Sequence, residues 1–203
     1  AALVLERFRQ IDLLLNNAGV SQRSFCVDTK FQVYEKLISI NVLGQIALTQ
    51  AVLPSMIERG EGHIAVTSSI AGKIGAPQRT GYCAAKHAVM GFFDALRTEV
   101  AADGIRVTTI TPGFIRTNVA VNALNADGEA TGKEDADIEG GMDVEECADK
   151  IMQGFDEGKP EIAVGSGSEM DLVKSRFEDP TGTFELLAAM ATKIRTDQLN
   201  NEK

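Results

Sequence analysis

Four short apolar runs divide the chain, at residues 11–15, 63–68, 105–110 and 161–164. Each is followed by a loop and then a longer stretch of helical periodicity, and this alternation constrains the fold more than any other feature. Residues 30–58 carry Leu37, Ile40, Asn41, Gly44, Leu48 and Val52 near one face. Residues 80–102 carry Val89, Phe93, Leu96 and Val100 on one stripe, with Gly104 beyond the end. Asp143 is placed to cap a helix with the stripe Val144, Cys147, Ile151 and Phe155. Residues 168–177 and 181–195 read as terminal helices. Short buried strands alternating with helices imply an α/β fold, a doubly wound parallel sheet with crossover helices. Chemistry in such sheets collects at the carboxyl ends of the strands. The candidate loops are therefore Asn16-Asn17-Ala18-Gly19, Ser68-Ser69, the stretch from Thr111 to Thr117, and the short end near Gly165.

At 203 residues, with 44% apolar and 24% charged residues, the chain suits a single globular domain. Its formal net charge is −9, most of it concentrated in residues 125–150, which read as a solvated acidic loop. An acidic chain with no basic run argues against nucleic acid as a partner. Cys26, Cys83 and Cys147 are odd in number and widely spaced, which argues against a disulfide framework and for a reducing, cytoplasmic setting. With His63 and His87 as the only histidines, no metal site is expected. No uninterrupted apolar run reaches the length of a membrane helix, so no membrane segment is expected in this chain.

Tyr82 and Lys86 open the second long helix at i,i+4 spacing, which places them on one face. A free phenol titrates near 10. An ammonium roughly 4 Å away, at an effective dielectric near 20, contributes about 4 kcal/mol and is expected to lower the phenol by about three units, into the range of a general acid/base. Ser69 lies before Tyr82 at a strand end, and the loop between them contains Gly72, Gly75 and Pro77. That loop folds the chain back so that hydroxyl and phenol meet across one carbonyl oxygen. Ser69 is not a hydrolase nucleophile, because the chain has no G-x-S-x-G and no partner His and acid.

Asn16-Asn17-Ala18-Gly19, Asn41, Ser69, Tyr82-x-x-x-Lys86 and Pro112-Gly113, in this order, resemble the short-chain dehydrogenase/reductases. Ser21-Gln22-Arg23-Ser24 and Asn122-Ala123-Leu124 resemble the retinal- and hydroxysteroid-type reductases within that family. The resemblance implies a Rossmann-like sheet and hydride transfer between NADP or NAD, NADP slightly favoured, and a small-molecule carbonyl or secondary alcohol. It implies Tyr82 as acid/base and Lys86 as the group that lowers the Tyr pKa and binds the nicotinamide ribose. It implies Ser69 as the group that holds the carbonyl, and Asn41 as holder of a relay water. It places Asn16, Asn17, Ala18 and Gly19 along the adenosine side of the cofactor, Pro112 and Gly113 against the nicotinamide, and Ile115 and Thr117 at its carboxamide. Residues 118–150 would form the substrate loop, and a homodimer or homotetramer would form through residues 41–57 and 80–102. Cys83 stands where the family usually has Ser and is expected to pack rather than react.

The family binds its dinucleotide on a Gly-rich turn after the first strand, and nothing before Asn16 reads that way; Gly165-Ser166-Gly167 is at the wrong end. The chain also opens on Ala1 rather than Met. The expectation is therefore an N-terminally truncated, single-domain C-terminal portion of a dehydrogenase, with the strand at 11–15 left as an exposed apolar edge and an upstream membrane anchor left open. Two rival readings stand beside it. One is an inactive homologue serving as an interaction module, separated from the enzyme by the upstream sequence. The other is a related epimerase or dehydratase, which the Ser-Ser-x-Ala-Gly run and the Pro-Gly loop fit less well.

Overall fold

The computed structural model describes residues 2–165 and 167–201; Ser166 of the Gly-Ser-Gly run lies outside them. Four strands, β1 (Leu13–Asn16), β2 (Gly62–Thr67), β3 (Ile105–Pro112) and β4 (Glu161–Val164), form one parallel sheet in the order β1-β2-β3-β4. Leu15 of β1 faces Ala65 of β2, and Ala65 faces Thr108 of β3. Helix α1 (Ala2–Phe8) precedes β1, and α2 (Phe31–Ile38), a π-helical turn (Ser39–Leu43) and α3 (Gly44–Arg59) cross over to β2. Helix α4 (Thr80–Glu99) crosses to β3. The short α5 (Ala136–Glu139) and α6 (Val144–Asp156) lead to β4, and α7 (Ser168–Glu178) and α8 (Pro180–Asn201) follow it. All four expected strands are present. β1 pairs only with β2 among the described residues, and Leu13 and Leu15 are about half exposed.

The main core lies between the sheet and α3 and α4, where Val52, Met56, Ile64, Val66, Val89 and Phe93 are sealed from solvent. The expected stripe of α4 is buried throughout. A second cluster joins α6 to β4 through Cys147, Ile162 and Val164. The helix expected within the acidic stretch is present as α6, with the Asp143 side chain capping it at the Glu145 N–H.

The face expected for residues 30–58 holds at Leu37, Asn41 and Val52 and is corrected at Ile40, Gly44 and Leu48. The π-helical turn inserts one residue, which rotates the following turns by about 100°. Asn41, Gln45, Thr49, Val52 and Met56 face inward, and Ile40, Gly44 and Leu48 are displaced to the surface. Helix α3 runs through Pro54 and ends at Gly60, whose φ of 70° is left-handed. A second correction concerns apolar length. Phe31–Arg59 contains an 18-residue window long and apolar enough, by length and composition alone, to cross a membrane. Counting uninterrupted apolar runs misses it. Here the stretch packs its inner face on the sheet.

His63 illustrates how the sheet tolerates polar groups. Its Nε2 lies 2.9 Å from Thr108 Oγ1, and its ring meets Phe155 edge-on with centroids 4.9 Å apart. Burial holds its pKa down at about 4, against an ordinary 6.5. The unfolded chain therefore binds this proton over a range where the folded protein does not. Stability is expected to fall as pH drops from 6.5 to about 4, by at most about 3 kcal/mol from this residue. Urea unfolding at pH 7 and pH 4.5 checks this. His63→Gln should show the smaller loss on acidification, and equal losses in both proteins would contradict the assignment.

Candidate active site

The carboxyl ends of β1, β2 and β3 converge on one side of the sheet. β2 ends at Thr67, and Ser68 and Ser69 leave it toward α4. Two bonds stitch this end to the helix: Ser68 Oγ donates to the Lys86 carbonyl at 3.1 Å, and Lys86 Nζ donates to the Thr67 carbonyl at 2.7 Å. Ser69 Oγ accepts the Ala71 N–H at 3.1 Å, capping a short 3₁₀ turn at Ile70–Gly72. One lone pair of Ser69 is thereby fixed, and its own proton remains to be donated.

The start of α4 has no capping side chain of its own. Gln22, fully buried, serves instead. Its Oε1 accepts the Gly81 N–H at 2.8 Å and the Tyr82 N–H at 3.3 Å, while its Nε2 donates to the Ser24 and Thr29 hydroxyls. Gln22 thus positions Tyr82 from a loop sixty residues upstream. Sequence reasoning missed this role; the only signal was a Gln in a short polar run after the Asn-Asn-Ala-Gly loop.

The electrostatics of the Tyr–Lys pair differ from expectation. Burial pushes the Tyr82 phenol above its ordinary value, while hydrogen bonding to Ser69 and the charge of Arg79 act in the opposite direction. Lys86, only 3% exposed, is itself pushed down to about 8 by burial. Its Nζ sits 5.7 Å from the Tyr82 ring centroid. Spacing on a helix fixed the shared face correctly. It could not show that both groups lose water, which disfavours the charged form of each.

Asn41 lies in the π-helical turn and is fully buried. Its Nδ2 donates to the Leu37 carbonyl at 2.9 Å and the Val20 carbonyl at 3.0 Å, and its Oδ1 accepts the Val20 N–H at 3.1 Å. The side chain expected to hold a water clamps the loop after β1 through three bonds, with one lone pair of Oδ1 left over. In that loop Gly19 passes so close that a Cβ would lie 2.8 Å from Asn41 Oδ1 and 3.5 Å from Lys86 Nζ. Asn16 is buried, with its Nδ2 donating to Thr49 Oγ1 at 3.0 Å and its Oδ1 without a partner among the described residues. Asn17 Oδ1 accepts the Thr67 hydroxyl at 2.9 Å, and the Ala18 carbonyl accepts Gln45 Nε2 at 3.1 Å.

Two cavities meet at this point. One, of about 620 Å³, brings together Asn17, Gly19, Lys86, Pro112, Ile115 and Thr117. Asn16, Ala18 and Asn41 stand behind its wall. The other, of about 310 Å³, is lined by Ile70, Phe114, Leu187 and Met190 with Arg79 and Asp135. Ser69, Tyr82 and Gly113 belong to both walls. Asp135, in the acidic stretch, is ion-paired with Arg23 and lies 3.5 Å from Arg79, which docks that stretch on the rim of the smaller cavity. Helices α7 and α8, from a segment with no recognisable motif, supply its far wall. Cys83 is buried, accepts the Ala76 N–H at 3.4 Å and has its thiol pushed up by burial, so it packs as expected.

The larger cavity fits the nicotinamide end of a dinucleotide. Gly19 and Lys86 are both in its lining, with room at Gly19 only because no Cβ meets Asn41 Oδ1, and Pro112, Ile115 and Thr117 form the wall that closes it.

Comparison with known proteins agrees with this geometry. The short chain dehydrogenase family model matches residues 1–128. Mouse dehydrogenase/reductase SDR family member 7B is 41% identical over 195 residues, covering 96% of this chain and 60% of its own length. The chain thus spans about 60% of the length of the curated relatives it matches. A short-chain dehydrogenase from Streptomyces avermitilis superposes with a TM-score of 0.71 at 28% identity, over 98% of this chain and 75% of the other. A gluconate 5-dehydrogenase from Burkholderia cenocepacia, in complex with NADP and tartrate, superposes with a TM-score of 0.57 at 29% identity, over 58% and 46%. Fold, strand-end loops and kinship agree, and the chain belongs to the short-chain dehydrogenase/reductase family.

Proposed function

We infer that the protein is an NAD(P)-dependent oxidoreductase that interconverts a carbonyl and a secondary alcohol. The observation that carries this reading is the placement of Ser69 and Tyr82 on the shared wall of the two cavities, with Lys86 behind them in the larger one. A bound nicotinamide cofactor supplies or takes the hydride. The chain's own residues handle the oxygen and its proton. Ser69, its lone pair held by Ala71, donates a hydrogen bond to the carbonyl oxygen and polarises it. Tyr82 Oη gives the proton to that oxygen during reduction and takes it back during oxidation. Burial keeps the phenol protonated at neutral pH, which suits it to the reductive direction. Lys86 holds the charge that the departing proton leaves on the phenol. Asn41 is a positioning residue that clamps the loop carrying Gly19. Pro112, Gly113, Ile115 and Thr117 shape the nicotinamide end.

NADP is the cofactor we infer ahead of NAD, on the strength of the NADP held by the gluconate dehydrogenase neighbour. The stretch 118–150 acts as the substrate loop, anchored through Asp135. Self-association would use the outer side of the π-helical turn and α3, where Leu43, Leu48 and Ile57 are exposed. The three free cysteines suit a cytoplasmic setting. The test is direct: the full-length protein, given NADPH or NADH and a panel of ketones and aldehydes, should oxidise the cofactor with equimolar formation of alcohol. No carbonyl reduced and no alcohol oxidised with either cofactor would overturn the reading.

A further inference from the structure

Among the ionisable groups that line the smaller cavity and that the chemistry above does not use, one is deeply buried and without an ion pair among the described residues. Glu169, in the first turn of α7, is 4% exposed and lines that cavity beside Gly113. Its carboxylate is wedged among three glycines. A Cβ built on Gly113 or Gly165 would lie 2.5 or 3.0 Å from Oε1, and one built on Gly167 would lie 2.0 Å from Oε2. The absence of Cβ atoms at Gly113 and Gly167 leaves room for the carboxylate, and Gly165 packs against both Met170 and Glu169.

That carboxylate is under-satisfied. Oε1 faces the Gly167 N–H at 3.3 Å and the Phe114 N–H at 3.5 Å, both longer than the usual 2.7–3.2 Å. No Lys, Arg or His among the described residues pairs with it, and an ionised carboxylate is an acceptor only. Burying a charge with two long hydrogen bonds is costly unless a further donor completes its shell. Ile74, Leu172, Leu187 and Met190 on this wall are apolar, and Arg23 and Arg79, which also line the cavity, are paired with Asp135.

We propose that Glu169 is a specificity-determining residue that accepts a hydrogen bond from a hydroxyl or ammonium group of the substrate, so that the substrates are small ketones or alcohols with an apolar body and a second, donor-bearing carbon. The proposal rests on the reductase reading, because it takes the smaller cavity as the place where the carbonyl meets Ser69 and Tyr82. A purely structural carboxylate, tying α7 to the loop after β3, would affect stability and leave substrate choice alone.

The test uses matched ketones with the full-length protein and NADPH: cyclohexanone, its 2-, 3- and 4-hydroxy derivatives, and 4-aminocyclohexanone. At least one substituted ketone should exceed cyclohexanone in kcat/KM by about tenfold or more, since the lost bond to a charged group is of that size. The preferred compound identifies the donor as hydroxyl or ammonium. In Glu169→Gln, which keeps the shape and an acceptor for both backbone N–H groups, the preference should shrink to within about threefold; a thermal melt shows that the variant is folded. An unchanged preference in the folded variant, or no preference in the parent protein, overturns the proposal. Should the protein reduce no ketone at all, the reductase reading fails, and binding then decides the site separately. Saturation-transfer NMR with cyclohexane-1,4-diol, 4-aminocyclohexanol and cyclohexanol should show a donor-bearing ligand that is held by the parent and lost in Glu169→Gln. Equal signals in both proteins overturn it.

Discussion

Tyr82→Phe is expected to lower kcat/KM for carbonyl reduction by about a thousandfold, within the span of general acid catalysis, while the dissociation constant for NADPH changes by less than about threefold. Phe preserves the ring that packs at the junction of the two cavities and removes only the phenol. No other donor at the junction can replace it. Ser69 offers a hydroxyl proton but no means of losing it, and Lys86 points its ammonium at the Thr67 carbonyl. The start of α4 is held through the backbone of residues 81 and 82 by Gln22, so the variant keeps its local frame. Steady-state kinetics beside cofactor titration separates the two effects. Turnover within tenfold of the parent would remove Tyr82 from the chemistry, and a collapse in cofactor affinity would make it a binding residue instead.

The sequence exposed the parts of this site that depend on chain order and hid those that depend on burial. Strand ends are legible because an apolar run must stop where its loop begins. Ser69 and Pro112 are therefore legible at the carboxyl edge of the sheet, and Tyr82 follows at the start of the next helix. The stripe on α4 was equally legible, since an unbroken α-helix keeps its period from Val89 to Leu96. The helix before it was not, because one inserted residue at Asn41 rotates everything after it. Gln22 and Glu169 escaped for a different reason. Each acts on residues about sixty positions away, and nothing in the run around either one signals that contact. The sign of the Tyr82 shift failed on the same ground, because helical spacing places charges but says nothing of the water they lose. Three glycines around Glu169 were visible as letters, yet only the fold shows that they surround one carboxylate.

Lys86→Met is the second large effect, and its size follows from the structure. With the 5.7 Å from Nζ to the Tyr82 ring centroid taken as the charge separation and an effective dielectric near 20, an ammonium stabilises a phenolate by about 3 kcal/mol, which corresponds to about a hundredfold in rate. The approach distance of 4 Å read from the sequence would have given more. The pH dependence supplies an independent check. Burial sets Lys86 near 8, so the charge is present below that pH and lost above it. The phenol stays protonated over the same range because burial raises it. In the parent protein kcat/KM for reduction should therefore fall as pH rises through about 8, with Tyr82 still carrying its proton. Lys86→Met should be about a hundredfold slower at pH 7 and show no inflection near 8. Lys86→Arg, which keeps its charge at all accessible pH, should lose the inflection while retaining more of the rate than Met does. Rate–pH profiles of the three proteins decide between this and a purely structural lysine. An inflection near 8 that persists in Lys86→Met would assign it to another group and leave Lys86 only its contact with Thr67.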